Sequence, residues 1–254
     1  MGLDLQKANL WKRISAYLFD VILLGMAVVG FAWLLSVLTG FDGYTRQLND
    51  AYLHYETEYG VTLDVTAEAY AAMPEADRAN YDAALSALSS DRDAIYAYHM
   101  LMNLSLLITS LGFLFAYLAL ELAVPLAFGN GQTLGKKIFG IALMRIDGVK
   151  INPLMLFVRT VLGKYTLETM IPVLIVLLIL WGSLGRLGTV ILVLILLLQL
   201  VLVFATRGHS LIHDLLAATV AVDYASQMIF PSEEALLAYK EKRHAELAER
   251  SPYA

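Results

Sequence analysis

The alternation of long apolar runs with polar segments predicts four membrane-spanning helices. The first apolar run, residues 11–38, opens with Lys12 and Arg13, contains one carboxylate, Asp20, and carries no charge after it. At about 1.5 Å of rise per residue, a helix of this length crosses a hydrocarbon core of roughly 30 Å. We expect spans at about 12–39, 97–127, 168–184 and 187–206.

The segment between the first two spans, residues 41–98, is polar and acidic. From residue 40 to residue 98 there are eleven Asp or Glu residues against three Lys or Arg residues, a net charge of −8. Helically spaced tyrosines and Pro74 predict a small helical insert outside the membrane. One interpretation is a solvated acidic cap. The other is a surface that attracts cations, basic substrates or an external partner.

The basic residues predict the orientation of the chain. Residues 129–166 carry six Lys or Arg residues and a single acid, Asp147. Cytoplasmic loops are enriched in Lys and Arg, so this segment and both termini are expected in the cytoplasm. Residues 1–223 then form a multi-pass domain of the cell (inner or plasma) membrane, and residues 224–254 form a charged, helical cytoplasmic tail.

Composition agrees with this class of protein. The 254 residues are 59% hydrophobic, and the mean hydropathy of +0.64 is typical of a polytopic membrane protein. The absence of cysteine excludes disulfides and thiolate metal sites. The charge pattern gives no support to a nucleic-acid partner. No catalytic motif is present, so we expect neither an enzyme nor a cofactor.

Two carboxylates lie inside predicted spans, Asp20 in the first and Glu121 near the inner end of the second. Intramembrane acids are functional candidates, so both are candidates to bind a proton or a small cation. Glu121 could instead reach water or a lysine at the interface. Arg13 and Asp20 share a helix face, but Arg13 leans toward the N-terminus and away from Asp20.

Each of these two residues therefore needs a partner from another segment. For Arg13 we expect Asp214, which follows the last span on the same side, and this pair would hold or gate the bundle. For Asp20 the candidates are cations of the central loop and the helix after it, which are Lys136, Lys137 and Arg159. The same three cations, with Gln132, are also expected to contact loops or lipid headgroups.

The remaining segments carry weaker signals. Apolar and polar residues alternate over 138–146 and indicate an extended segment, and Asn152 and Pro153 start an amphipathic interfacial helix. Residues 206–224 indicate a helix that lies against the cytoplasmic interface or is tucked into the bundle. His209 and His213 are four residues apart, which is metal-ligand spacing. Without a third histidine or a cysteine nearby, a structural histidine pair is favoured and no metal is expected.

Three segments together resemble the RDD family of membrane proteins, named for one arginine and two aspartates. They are RISAYLFD with Arg13 and Asp20, the loop GQTLGKKIFGIALMRIDG, and HDLLAAT with Asp214. The resemblance covers most of residues 8–223, and the long acidic insert departs from it. It implies a compact multi-span domain and a transporter, and some relatives are assigned cation/proton antiport.

The sequence thus predicts an all-α membrane protein with about four transmembrane helices, interfacial amphipathic helices and a helical extracytoplasmic insert. The expected function is transport of a small solute, most concretely exchange of a cation for a proton. The alternative is a lipid-binding or membrane-assembly protein that does not transport. Four spans are few for an exchanger, which favours a homo-oligomer.

Overall fold

The computed structural model describes residues 6–206 and 210–249, which are mainly helical. The helices are α1 (Leu10–Thr39), α2 (Phe41–Tyr59), α3 (Ala67–Ala72), α4 (Glu75–Leu88), α5 (Arg92–Phe128), α6 (Leu134–Ile138), α7 (Pro153–Leu180), α8 (Gly185–Ala205), α9 (Ile212–Leu216) and α10 (Glu233–Glu249). Two short strands are β1 (Ile141–Arg145) and β2 (Thr219–Asp223). In the described ranges, α1, α5, α7 and α8 are long and apolar enough to span a membrane. The predicted all-α membrane protein with four spans is confirmed.

The third span begins earlier than predicted, at Pro153 instead of residue 168. The Asn152 side chain caps this helix by accepting a hydrogen bond from the Met155 N–H at 2.7 Å. Pro153 occupies the first turn, where its missing N–H leaves no bond unmade. The expected interfacial helix and the third span are therefore one continuous helix, because no residue between them ends it.

Both α5 and α7 contain a stretch of π-helix, at Leu118–Ala123 and Val158–Met170. A proline follows each stretch closely, Pro125 in α5 and Pro172 in α7. Proline removes one helical hydrogen bond and crowds the preceding turn, and a wider turn before it relieves that crowding. π-Helical turns are rare in proteins, and those that occur are often found at functional sites. The residues of these two stretches are therefore candidates for a functional site.

The two strands form a small antiparallel sheet in which Ile141 pairs with Asp223 and Arg145 pairs with Thr219. The strand at Ile141–Arg145 follows the predicted alternation. The second strand corrects the expectation of a helix over residues 206–224, because α9 ends after five residues and the chain then turns into β2. Both faces of the sheet are buried, one of them against Ala8 and Ala16. The sheet thus fixes the beginning of α1 to the segment that carries Asp214.

The described residues fall into two compact units. The smaller unit, Val29–Gly112, contains the helical insert, where α2 packs on α4 around Leu63, Ala84 and Leu88. The larger unit contains the residues up to Val28 and from Phe113 onward. It includes α6 to α10, the sheet and the buried charged residues, and it holds the candidate site.

Candidate functional site

The larger unit contains a partly open cavity of about 360 Å³, lined by residues of α1, α5, α6, α7, α8 and α9. Apolar side chains of α1 and α8 form part of its wall. Among the described lining residues, four are acidic and four are basic, together with one histidine: Asp20, Glu121, Glu168, Asp214; Arg13, Lys136, Arg159, Lys164; and His213. The candidates Arg13 and Asp20 of α1, Glu121 of α5 and Asp214 of α9 therefore meet around one space.

Asp20 holds the beginning of α6. Its Oδ1 accepts a hydrogen bond from the Gly135 N–H at 2.8 Å, and its Oδ2 accepts one from the Thr133 hydroxyl. Thr133 is itself the N-cap residue of α6 and accepts from the Lys136 N–H. Two N–H groups that a helix start leaves free are thereby satisfied, one of them by a residue of another helix. The central loop does supply the partners of Asp20, but the closest are a hydroxyl and a backbone amide.

Gly135 allows α1 and α6 to approach this closely. A Cβ atom at position 135 would lie 2.4 Å from the backbone oxygen of Ala16 and 2.9 Å from the Asp20 carboxyl carbon. Neither distance is tolerable, and the first involves backbone that cannot move aside. Any side chain at position 135 would therefore push α6 away from the carboxylate that caps it.

Asp214 is buried and receives its hydrogen bonds from Arg159. The Nε and Nη2 atoms of Arg159 lie 3.1 Å and 2.7 Å from the Asp214 Oδ1, and the Thr219 hydroxyl donates to the same oxygen at 3.3 Å. Both charged side chains are at most 4% exposed. Burial alone would raise the pKa of Asp214, but the charge of Arg159, and then those of His213 and Arg13, hold this pKa below its usual value.

The sequence predicts Arg13 as the partner of Asp214; in the structure Arg159 takes the hydrogen-bonding position at Oδ1, and Arg13 acts on Asp214 through its charge. The physical reason is the packing of α9 on the π-helical stretch of α7, which carries Arg159. Arg13 lines the same cavity from α1. Arg159 is correspondingly removed from the candidate partners of Asp20.

Glu121 forms an ion pair with Lys164, in which the ammonium lies within hydrogen-bond distance of Oε2. Both side chains are largely buried. The backbone oxygen of Glu121 accepts a hydrogen bond from the Thr160 hydroxyl at 2.9 Å. The two π-helical stretches are thus joined by an ion pair and by a hydrogen bond to the backbone. Glu121 meets a lysine, as one interpretation of the sequence expected, but the lysine lies inside the bundle.

Glu168 and His213 form a further buried pair. One Glu168 oxygen accepts from the His213 backbone N–H at 2.9 Å, and the other lies 2.6 Å from the ring Nδ1. Gly163 provides the space, since a Cβ atom there would lie 2.5 Å from the His213 Cβ. Burial, and next the charge of Arg159, lowers the pKa of His213, which Asp214 and Glu168 partly oppose. This pair fixes α9 to α7.

Lys136 projects from α6 toward these pairs and is 13% exposed. Its Nζ lies 3.2 Å from the Thr133 Oγ1 and 4.0 Å from the Asp20 Oδ2. Burial, and next the charge of Lys164, lowers the pKa of Lys136 to about 8, although Glu121 and Asp20 act in the opposite direction. Of the predicted cationic partners of Asp20, Lys136 is the one that reaches it.

Gln132 and Lys137, which were also expected to contact loops or lipid headgroups, differ in their exposure. Gln132 is buried, and its side chain donates to the Ile141 backbone oxygen at 2.8 Å. Of the two expected roles, contact with lipid or with the loop, the buried Gln132 and Lys136 fit the loop role, and the buried Arg159 contacts Asp214 instead. Lys137 is exposed and lies 3.6 Å from the centre of the Phe128 ring.

The sequence offers two weak candidates for metal ligands, His209 and His213. His209 lies outside the described residues, and His213 is bound to Glu168. Over residues 6–206 and 210–249 there is no group of three or more histidines or acidic residues placed to hold a metal ion.

Sequence reasoning missed the roles of Lys164 and Glu168. A signal was available, because three charges, at positions 159, 164 and 168, recur every four to five residues in a segment that continues into an apolar run. That spacing places them along one side of a π-helical stretch.

Comparison with known proteins supports a family assignment. The family model described as RDD family matches residues 7–218, which is most of the chain. No curated protein and no solved structure gives a significant match. The matched region includes Arg13, Asp20 and Asp214, the residues that carried the resemblance. The chain belongs to the RDD family.

Proposed function

We propose that this protein is a membrane transporter that exchanges a small cation for a proton through the cavity between α1, α5, α6, α7 and α9. The observation that carries the proposal is the set of buried acidic and basic side chains around an open space of about 360 Å³. Charges within a membrane domain are costly, and they commonly mark the path of an ion or a proton. Charged side chains that served only to hold helices together would not require open space beside them.

The balance of charge favours exchange over simple passage of a cation. The described lining residues carry four acids and four bases, so their formal charges cancel when His213 is neutral. A cation that enters this space between buried side chains would add one positive charge that no carboxylate compensates, which is unfavourable at low dielectric constant. Release of one proton restores the balance. Asp20 and Glu121 supply the negative charge that faces the cation.

For the orientation we propose that both termini lie in the cytoplasm, in the cell (inner or plasma) membrane. Although Arg159 and Lys164 lie inside α7, residues 129–152 still hold four basic residues against Asp147. The insert between α1 and α5 remains acidic. The positive-inside rule therefore still favours cytoplasmic termini and an acidic insert on the opposite side of the membrane.

The direct test is proton flux in proteoliposomes that contain the purified full chain. Gradients of Na⁺, K⁺ or Li⁺ are imposed in turn, and internal pH is followed with a dye. We expect at least one of these cations to drive proton movement. Glu121→Gln should reduce the rate at least tenfold, whereas Glu234→Gln, on the exposed face of α10, should leave it unchanged. Absence of flux with every cation would overturn the proposal.

The alternative, a lipid-binding or assembly protein, is supported by one feature, the exposed Lys137 beside the exposed Ile138. An ammonium next to an apolar side chain suits the boundary between headgroups and acyl chains. If this is the function, Lys137→Gln should reduce the amount of anionic lipid that copurifies with the protein, and no cation should drive proton flux.

A further inference from the structure

Lys136 is compensated less directly than Lys164 and Arg159, which also line the cavity. Lys164 and Arg159 each place a nitrogen within hydrogen-bond distance of a carboxylate oxygen. The Nζ of Lys136 is instead bonded to the neutral hydroxyl of Thr133, and its nearest carboxylate oxygen, on Asp20, is 4.0 Å away. A buried ammonium without a carboxylate in direct contact gives up its proton more readily than one with such a contact.

The groups around Lys136 come from three helices. Asp20 faces it from α1 and Glu121 from α5, and both favour its charged form. Arg159 and Lys164 face it from α7, and both favour loss of its proton. Burial is the largest influence, and with the charge of Lys164 it outweighs the two acids and lowers the pKa of Lys136 to about 8. The amine therefore changes charge near the pH at which a cell works.

Asp20 is less suited to carry the proton. Its oxygens already accept hydrogen bonds from Thr133 and from the Gly135 N–H. A proton on Asp20 would turn one acceptor into a donor and leave a donor of the loop unsatisfied. Loss of a proton from Lys136 breaks no hydrogen bond of this kind, because a neutral amine can still donate to the Thr133 hydroxyl.

We propose that Lys136 is the proton carrier of the exchange and that its ammonium takes the place of the transported monovalent cation between turnovers. When the cation enters, the Lys136 ammonium loses one proton to water and becomes a neutral amine. When the cation leaves, the amine takes a proton from water. One positive charge replaces another, so the exchange is one cation for one proton. This inference rests on the proposed function, and it adds the class of cation and the residue that couples it.

Binding by the purified full chain in detergent tests the inference without a transport assay. NaCl, KCl or LiCl is added to weakly buffered protein, with choline chloride as the control for ionic strength. Binding is measured by calorimetry and proton release with a pH dye. In the unaltered protein we expect about one proton released per cation bound below pH 8. The apparent Kd should rise about tenfold for each pH unit below 8 and should be constant above it.

Two variants separate charge from titration. Lys136→Arg keeps the charge but cannot lose it, so cation binding should weaken at least tenfold and release no proton. Lys136→Gln removes the charge, so binding should persist at every pH without proton release. Lys137→Arg and Lys137→Gln are matched controls at the neighbouring exposed lysine and should behave like the unaltered protein. The glutamine variant keeps the test valid if arginine does not fit.

The outcomes are distinguishable. Proton release of about one per cation in Lys136→Gln would overturn this inference and leave the proposed exchange intact. Failure of the unaltered protein to bind any of the three cations would overturn the proposed function and this inference with it.

Discussion

Arg159 directs two nitrogen atoms at a single oxygen of Asp214, at 3.1 Å and 2.7 Å, within the part of the larger unit where α9 packs on α7. Both side chains are almost fully buried. A buried charge of this kind is tolerated only while its partner is present. The pair of Arg159 and Asp214 therefore determines whether α9, which follows the fourth span, can pack on α7, the third span.

Arg159→Ala should destabilise the protein by about 3–5 kcal/mol, because it leaves the Asp214 carboxylate buried without a hydrogen-bonding cation. Arg159→Ala and Asp214→Ala should be strongly non-additive, and Arg13→Ala with Asp214→Ala should couple more weakly. Thermal unfolding in detergent measures both cycles. The solvent-accessible pair of Lys12 and Asp223 is the control, and its two alanine variants should be nearly additive. Equal coupling of both arginines to Asp214 would contradict the prediction.

Gly163→Ala should destabilise the protein by about 1–3 kcal/mol, since the new methyl group would overlap the His213 Cβ and separate α9 from α7. Gly25→Ala is the matched control in α1, where nothing lies within 4 Å of the added carbon. There we expect no loss of stability. Thermal unfolding of the two purified variants makes the comparison, and similar losses in both would exclude close packing at position 163 as the cause.

Stability should decrease as pH falls below 6.5, and His213 should contribute to that decrease. Burial, and next the charge of Arg159, lowers the pKa of His213 from 6.5. Below pH 6.5 the unfolded chain therefore binds a proton that folded His213 does not yet bind. His213→Gln should flatten the dependence of the unfolding temperature on pH between 5 and 7, relative to the unaltered protein. The exposed His54→Gln should not, and an unchanged slope in His213→Gln would remove this residue from the explanation.

Asp20→Asn should keep the fold, whereas Asp20→Ala should not. Asparagine can accept from the Gly135 N–H with its oxygen and contact the Thr133 hydroxyl with its amide. Alanine leaves both donors unsatisfied, at about 1–3 kcal/mol each. Folded yield in detergent distinguishes the variants. In vesicles, Asp20→Asn should lower proton flux, because the carboxylate that faces Lys136 has lost its charge. Normal flux in a folded Asp20→Asn protein would leave Glu121 as the acid that matters.

Single cysteines at Ser89 and Ser226 should label from opposite sides of the membrane. The chain has no cysteine of its own, so each label reports one position. Ser89 follows α4 in the acidic insert, and Ser226 follows β2. Three candidate spans separate these positions along the chain. Reaction with an impermeant maleimide in intact cells and in inverted vesicles measures the side, and labelling of both positions from the same side would contradict the four-span topology.

The sequence was sufficient for the number of spans because an apolar run of about 20 residues has few other structures open to it. The sequence was insufficient to place the beginning of α7. The charged residues Arg159, Lys164 and Glu168 are compatible with a helix at the membrane interface and also with a helix buried in the bundle. Only the packing of neighbouring helices around them decides between the two.

The partner of Asp214 could not be predicted for a related reason. A stretch of 13 π-helical residues changes the direction in which each side chain of α7 points, and no propensity scale anticipates it. Asp20 was identified by its position in an apolar helix. Its closest partners are a hydroxyl and a backbone N–H, which the sequence does not distinguish from any other loop atoms. Strand β2 was missed because five residues are too few to separate alternation from a short helix.

The capping of α6 by Asp20 has a consequence for the order in which the protein is made. The atoms that bind this carboxylate belong to residues 113 and 115 positions later in the chain. At about 5–20 residues per second, the ribosome adds those residues about 6–23 s after Asp20. Throughout that interval the first helix carries an acid whose native donors do not yet exist. Its final place in the bilayer is therefore settled only after α5 and the loop behind it have been synthesised.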